Sequence, residues 1–326
     1  MENNQNDSKN SIETQSGWEK GIVEKLAFAA LKEQKTARHW GIFFKLLTFT
    51  YIAVIFGVAI YPQFKEEIGS GGKQHAAIVD VIGVIAQGEG TSANSVIEGL
   101  HDAFKDKNTK GVILNINSPG GSPVQSAYIY DEIKRLKRLH PDIPIYAVVG
   151  DLCASGGYYV ASATDKIFVN QASIIGSIGV IMNGFGFNNV LEKLGVERRL
   201  LISGDHKAFL DPFSPLKQEE AKHMQTLLDE VHQQFIDAVR EGRGDRLKES
   251  MEPEMFSGFV WTGGEGIKLG LVDAFGSVDT VAREQLQTEE KVNFTPQDHL
   301  IDRLAGKVGA SFAHSMSSLF QDRELR

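Results

Sequence analysis

The distribution of apolar and polar residues divides the chain into stretches of different character. Met1 to Ser16 is polar and rich in Asn and Ser, with too few apolar side chains to order itself. From Trp18 to Lys35, Trp18, Ile22, Leu26, Phe28 and Leu31 recur among charged neighbours, which predicts an amphipathic helix at a membrane surface or in a bundle. Ile42 to Tyr61 is uncharged apart from Lys45 and close to the length a bilayer requires, so it predicts one transmembrane helix. Lys45 lies near the end of that span, where its stem can carry the ammonium to the interface. Gly69-Ser70-Gly71-Gly72-Lys73 has the look of a phosphate loop but follows a membrane span rather than a strand and lacks the full spacing; it reads as a flexible linker.

From His75 the period alternates between that of strands and that of helices. Strands are expected over Ala76–Ile85, over Gly111–Leu114 running on to Ile116, and over Ile145–Val149, with short ones near Ile167 and Ile178 and another over Glu197–Ile202. Helices are expected over Ala93–Lys105, Val124–Leu139 and Asn188–Leu194, with one opening at Ser155. Ser214-Pro215 provides a cap and a first-turn proline for a long helix to about Arg240. Its Met224, Leu227, Leu228, Val231, Phe235 and Val239 follow helical spacing, which favours core or subunit packing over a ligand groove. A late helix and terminal strand are expected from Trp261 to Asp273, with Gly266 in place of a helix former. The rhythm implies βαβ units in an α/β sheet whose strand-end loops carry function. Leu300 to Phe320 is again amphipathic: membrane surface, partner subunit and self-packing all fit it.

The expected organisation is therefore a segment 1–40, an anchor 41–61, a linker 62–74, a catalytic-sized domain 75–290 and a tail 291–326. A chain of 326 residues, 42% hydrophobic, has enough apolar material for one full core plus these appendages. Charge decides orientation: Lys25, Lys32, Lys35, Arg38 and Lys45 stand before or at the start of the span, whereas Lys65 and Lys73 are diluted by Glu66 and Glu67 after it. The N-terminus is expected in the cytoplasm and the large domain across the membrane. The apolar run starts some forty residues in, is longer than a signal-peptide core and lacks a small-x-small site before Pro62, so an uncleaved anchor is preferred. A net charge of −8 gives no polyanion-binding surface, so nucleic acid is not an expected partner. One cysteine excludes an intrachain disulfide and a cysteine-rich zinc site, and the histidines lack HExxH spacing, so no metal is expected.

The candidate chemistry lies at four places. Ser155, in Cys153-Ala154-Ser155-Gly156-Gly157-Tyr158-Tyr159, opens a helix straight after a strand, where a hydroxyl either caps the helix or serves as a nucleophile beside free N–H groups. Asn115-Ile116-Asn117-Ser118-Pro119-Gly120-Gly121-Ser122 is either a plain strand-to-helix turn or a nest of outward N–H groups. Lys207, in Ser203-Gly204-Asp205-His206-Lys207-Ala208-Phe209, can act as a general base only if burial lowers its pKa. Ser177, in Ile174-Ile175-Gly176-Ser177-Ile178-Gly179-Val180, is a lone hydroxyl in an apolar run and suits a lysine amine as partner. Cys153 reads as a small core residue and His206 as a loop histidine.

Together these segments resemble the signal peptide peptidase A family of serine peptidases, which shares a fold with the Clp protease proteolytic subunit and the crotonases. The resemblance spans roughly Ala76 to Gln285. It implies a Clp protease/crotonase-like repeated βαβ domain in which Ser155 is the nucleophile, Lys207 the general base and Ser177 the residue that orients the lysine. It further implies an oxyanion hole from the Gly120, Gly121 and Gly156 amides, and no cofactor. The substrates it implies are remnant signal peptides and other apolar membrane-associated peptides. It also implies a ring-shaped homo-oligomer, and in some relatives the base comes from a neighbouring subunit, so Lys207 in cis and in trans are both open. Two other classes compete. A crotonase-like acyl-CoA enzyme would use carboxylates and has no use for a Ser-Lys pair or an export-type anchor; a noncatalytic scaffold, or a peptidase of membrane organising proteins, would keep the fold.

Overall fold

The computed structural model describes residues 28, 31–36, 38–54, 57 and 72–296. The chain divides into two units, 1–71 and 72–326. In the first, residues 38–54 are helical, with Phe43, Leu46, Leu47, Phe49 and Ile52 all more than half exposed. Much of the expected helix Trp18–Lys35 and the end of the expected span Ile42–Tyr61 lie outside the described residues. Among the described residues no helix is long and apolar enough to cross a membrane.

The second unit is an α/β layer structure. Its sheet is built from β1 (His75–Ile82), β2 (Thr109–Ser118), β3 (Ile145–Ala154), β4 (Lys166–Val169), β5 (Ile174–Gly176), β6 (Val260–Thr262), β7 (Ala274–Phe275) and β8 (Lys291–Asn293). The order is β6-β5-β3-β2-β1-β8, with β4 beside β3 and β7 beside β4; every pairing is parallel except β5 with β6. Lys291–Asn293, expected at the start of the tail, pairs with Ala76–Ile78 as an edge strand.

Side chains alternate across the sheet with the strand period of two. Ala77, Val79 and Val81 of β1, Val112, Leu114 and Ile116 of β2, and Ile145, Ala147 and Val149 of β3 enter the main core. That core is closed by α1 (Ala93–Lys105), α2 (Pro123–Leu139), α3 (Gly156–Ser162) and the second half of the long α5 (Gln218–Arg243). Ala76, Ile78, Ile113, Val148 and Phe168 point the other way and meet Val281, Ala282 and Leu286 at α8 (Val278–Glu284). Burying each such Val or Ile contributes about 1.5–3 kcal/mol, so both faces need cover and the strands read as continuous apolar runs.

Ser92, Ser122 and Ser277 cap α1, α2 and α8 with their hydroxyls. Gly266 lies within α7 (Gly263–Leu269), where an added Cβ would come within 2.3 Å of Ile175 Cδ1; the glycine there permits close packing on β5. A buried ion pair ties α5 to the sheet. Arg243, 1% exposed, donates to both Asp273 oxygens at 2.8 and 3.0 Å and to Gly270 O at 2.9 Å.

Two expectations change. Glu197–Ile202 forms no strand: it pairs with no strand among the described residues and Leu201 is 97% exposed, so a short apolar run without a neighbour builds no ladder. The long helix starts at Gln218 rather than at Ser214-Pro215. Ser214 Oγ donates instead to Asp211 Oδ2 at 2.5 Å and accepts from Arg198 at 3.2 Å, which closes a turn before the helix.

Candidate active site

The parallel register of β3 with β5 pairs Leu152 with Ile174, Cys153 with Ile175 and Ala154 with Gly176. Ser155 and Ser177 therefore directly follow two paired strands, β3 and β5, and the Ser155 N–H donates to Gly176 O at 2.8 Å. Both serines have φ of +51°, a backbone conformation that L side chains seldom adopt and that recurs where a fold holds a reactive group in place. Ser155 occupies the N-cap position of α3 yet its hydroxyl makes no capping bond. Of the two meanings a serine has at a helix start, the capping one is not used here.

The Pro119-Gly120-Gly121 turn lies against this corner. Ile85 N–H donates to Gly120 O at 2.9 Å and Ser122 N–H to Ile85 O at 2.8 Å, so the chain beyond β1 pins the turn from outside. Gly120 has φ of +93°, and an added Cβ would stand 2.5 Å from Gly156 N and 2.8 Å from Ser155 Cβ. A Cβ on Gly156 would stand 2.4 Å from Ser126 Oγ and 3.2 Å from Gly121 N. Turn and helix start thus approach closely enough that only glycine fits. The Gly120 N–H donates to Ser118 Oγ at 3.1 Å, and Ser118 in turn donates to Gly83 O at 2.6 Å. The Gly121 and Gly156 N–H groups donate to no acceptor among the described residues. Two undonated amides beside a serine hydroxyl, at the positive end of a helix, form a place for developing negative charge.

The corner opens into a cavity of about 330 Å³ whose walls include Tyr128, Tyr159, Val180, Ile181, Val231 and Phe235. Phe235 stacks on Tyr159 with ring centroids 4.9 Å apart, and Tyr159 meets Tyr130 edge-on at 5.3 Å, which fixes the inner wall. These wall residues were not legible as site residues. Val231 and Phe235 read as packing positions of a long helix, and their facing partners come from three other segments.

Lys207 and His206 lie in an exposed turn, 203–210, with Lys207 N–H donating to Gly204 O at 3.0 Å. Among the described residues, no hydrogen bond joins the Lys207 amine to Ser155 or to Ser177. The structure thus brings Ser155, Ser177, Gly120, Gly121 and Gly156 together and leaves Lys207 apart from them within one chain. Cys153 is wholly buried and burial pushes its thiol above the ordinary range, which leaves no thiolate to compete with the serine.

Residues 137–293 match the model of peptidase family S49, and residues 75–175 match that of Clp protease. A protein of Enterococcus faecium named "Putative signal peptide peptidase SppA" is 34% identical over 244 residues, 71% of this chain and 70% of its own length. "Protease 4" of Haemophilus influenzae is 31% identical over 231 residues, 69% of this chain and 37% of its own. Two Brucella proteins, of B. abortus and B. melitensis, each named "Na(+)/H(+) antiporter NhaA", are 41% identical over 211 residues, 64% of this chain; the chain spans 28% of their length.

Proposed function

This chain belongs to peptidase family S49, and we propose that it is a membrane-anchored serine endopeptidase that cleaves remnant signal peptides and other apolar peptides. The observation that carries this reading is the pair of undonated amides, Gly121 and Gly156, flanking an uncapped Ser155 at the mouth of an apolar cavity. In the proposed cycle, the neutral Lys207 amine takes the Ser155 proton while Oγ attacks the scissile carbonyl. The Gly121 and Gly156 amides hold the oxyanion. Gly120 contributes the close approach rather than an N–H, because its amide is engaged by Ser118. Collapse of the tetrahedral intermediate expels the amine, which leaves with the proton from Lys207. A water, deprotonated by the same lysine, then hydrolyses the acyl-enzyme, and Ser177 orients the amine throughout. No cofactor takes part.

A lysine is a base only when desolvated, and Lys207 is exposed within one chain. Its turn is hydrogen-bonded to the first turn of α5 at Glu220, whereas Val231 and Phe235, which wall the cavity, lie three turns or more further along. At 1.5 Å per residue those positions are separated by about 16 Å or more along the helix axis. The reading that fits is a homo-oligomer in which a neighbouring copy brings Lys207 to Ser155 and covers it. Exposed apolar side chains between 181 and 216, among them Ile181, Phe185, Leu194 and Leu201, supply material for such an interface. The exposed Phe43, Leu46, Leu47 and Phe49 of the N-terminal helix support a membrane anchor, with the N-terminus cytoplasmic and the catalytic unit across the membrane.

The test is hydrolysis of a signal-peptide-like substrate together with fluorophosphonate labelling mapped by mass spectrometry. Wild type should cleave and label at Ser155. Equal cleavage by Ser155→Ala, or a label on another residue, would remove the proposal. Mixing Ser155→Ala with Lys207→Ala chains should restore part of the activity if the base acts between copies.

A further inference from the structure

We infer that Glu220 is a positioning residue that sets the place of Lys207 by clamping the turn that carries it. The inference rests on the reading of Lys207 as the base. Glu220, 4% exposed, is the only acidic residue among the described ones that is this deeply buried. Its Oε2 accepts the Leu210 N–H at 3.0 Å, and its other oxygen lies 3.1 Å from Lys217 Nζ. These two groups hold its carboxyl below the usual range, so it accepts as a carboxylate at neutral pH.

The residue it holds is in an unusual state. Leu210 has φ of +52°, the left-handed region that a leucine side chain disfavours, and an outside contact is needed to keep it there. Leu210 ends the compact run that begins at Gly204. Within that run Lys207 N–H donates to Gly204 O at 3.0 Å, Phe209 N–H to His206 O at 3.1 Å and Asp211 N–H to Ala208 O at 3.3 Å. A second contact acts at the same end of α5: the Phe209 ring meets His223 edge-on at 5.8 Å. Glu220 and His223 are three residues apart and so share a helix face, which grips Leu210 and Phe209 side by side. One hydrogen bond and one ring contact from the same face fix both the distance and the rotation of the turn relative to α5, and α5 continues as a wall of the Ser155 cavity. One helix therefore walls the cavity of its own chain and, through the turn, sets the base that chain presents to a neighbouring copy.

The experiment compares Glu220→Asp, Glu220→Gln, His223→Ala and Lys207→Ala in the full chain with a fluorogenic apolar peptide. Glu220→Asp keeps the charge but withdraws the acceptor by one methylene; Glu220→Gln keeps the reach and gives up the charge. A displaced base lowers kcat and leaves substrate binding alone: kcat should fall about tenfold to a hundredfold in Glu220→Asp with KM little changed. The amide oxygen of Glu220→Gln still meets Leu210 N–H and should recover turnover to within about threefold of wild type. If Glu220→Asp does not fold, His223→Ala at its exposed site serves, with kcat severalfold down and KM unchanged. Wild-type kcat in Glu220→Asp or in this His223 variant, a loss seen only in KM, or a Gln variant poorer than the Asp one would overturn the inference while Lys207→Ala stays inactive. Full turnover by Lys207→Ala would instead overturn the base assignment itself.

Discussion

The Ser155 corner and the segment from 181 to 216 are built on opposite principles. Behind the corner the packing is tight: Gly120 and Gly156 leave no room for a Cβ, Cys153 and Tyr158 are fully buried, and Tyr158 OH donates to Leu271 O at 2.6 Å. In the later segment, Ile181, Phe185, Leu194 and Leu201 are 70% or more exposed, and the turn bearing Lys207 is held by a few polar contacts to α5. The glycine turn and helix start around Ser155, the proposed nucleophile, are in place within one chain. The proposed base stands on a surface whose apolar side chains lack cover in one chain. A site divided in this way can be intact as a fold and idle as a catalyst until copies meet.

The contrast can be broken most sharply at the chemistry. Ser155→Ala and Lys207→Ala should each lower kcat by about ten-thousandfold or more while leaving the melting temperature unchanged. A Lys207→Ala enzyme with substantial turnover would make the segment a mere appendage. Next comes the anchor behind the corner. Arg243→Met leaves Asp273 buried without its main partner and should cost about 3–5 kcal/mol in denaturant unfolding.

Gly120→Ala combines a φ of +93° with contacts of 2.5 Å and should cost about 2–4 kcal/mol, together with most of the activity. Gly204→Ala, in the later segment, has φ of +101° but nothing nearer than Lys207 Cβ at 4.0 Å, so only the backbone strain of about 1–2 kcal/mol applies. Equal costs at the two glycines would erase the distinction between the regions.

Acid should loosen the rigid region through Asp273. Burial pushes the Asp273 carboxyl up, but hydrogen bonding and charge from Arg243, with Ile167 N–H and Arg246, outweigh it and hold it below the ordinary range. A depressed folded-state pKa contributes stability that is complete above the unfolded value near 4 and is lost as pH falls through the folded value. Melting curves of wild type and Asp273→Asn should therefore begin to converge below about pH 4 and meet only as pH falls past the lower folded value.

The smallest effect on folding is expected in the later segment. Leu201→Ser and Phe185→Ser should change single-chain stability by no more than about 0.5 kcal/mol. Sedimentation of the same variants should nonetheless shift toward the single chain, because they remove apolar area from the proposed interface.

Most of the sheet was legible because local and tertiary preferences agree there. Ala93–Lys105 was read to the residue, and Pro123–Leu139 and Asn188–Lys193 to within one, from helical spacing. Ser155, Ser177 and the Gly120-Gly121 turn were legible as motifs because a strand end followed by small residues has few physical uses. The failures came where a segment's fate depends on a distant one. Glu197–Ile202 ends in a strand-like apolar run but has no neighbour to pair with, and Ser214 has a helix-capping side chain that Asp211 and Arg198 engage instead.

Local order along the chain by itself determined an α/β layer structure, the strand-to-helix corner at Ser155 and the identity of the candidate hydroxyls and amine. Only the tertiary structure decided which groups meet. The β3–β5 register sets Ser155 beside Ser177, Ile85 pins the glycine turn, and Ser118 engages the Gly120 amide while those of Gly121 and Gly156 stay undonated. The physical reason is that propensity and periodicity are properties of neighbours along the chain, whereas a free N–H, a buried carboxylate or a cavity wall is defined by what arrives from elsewhere.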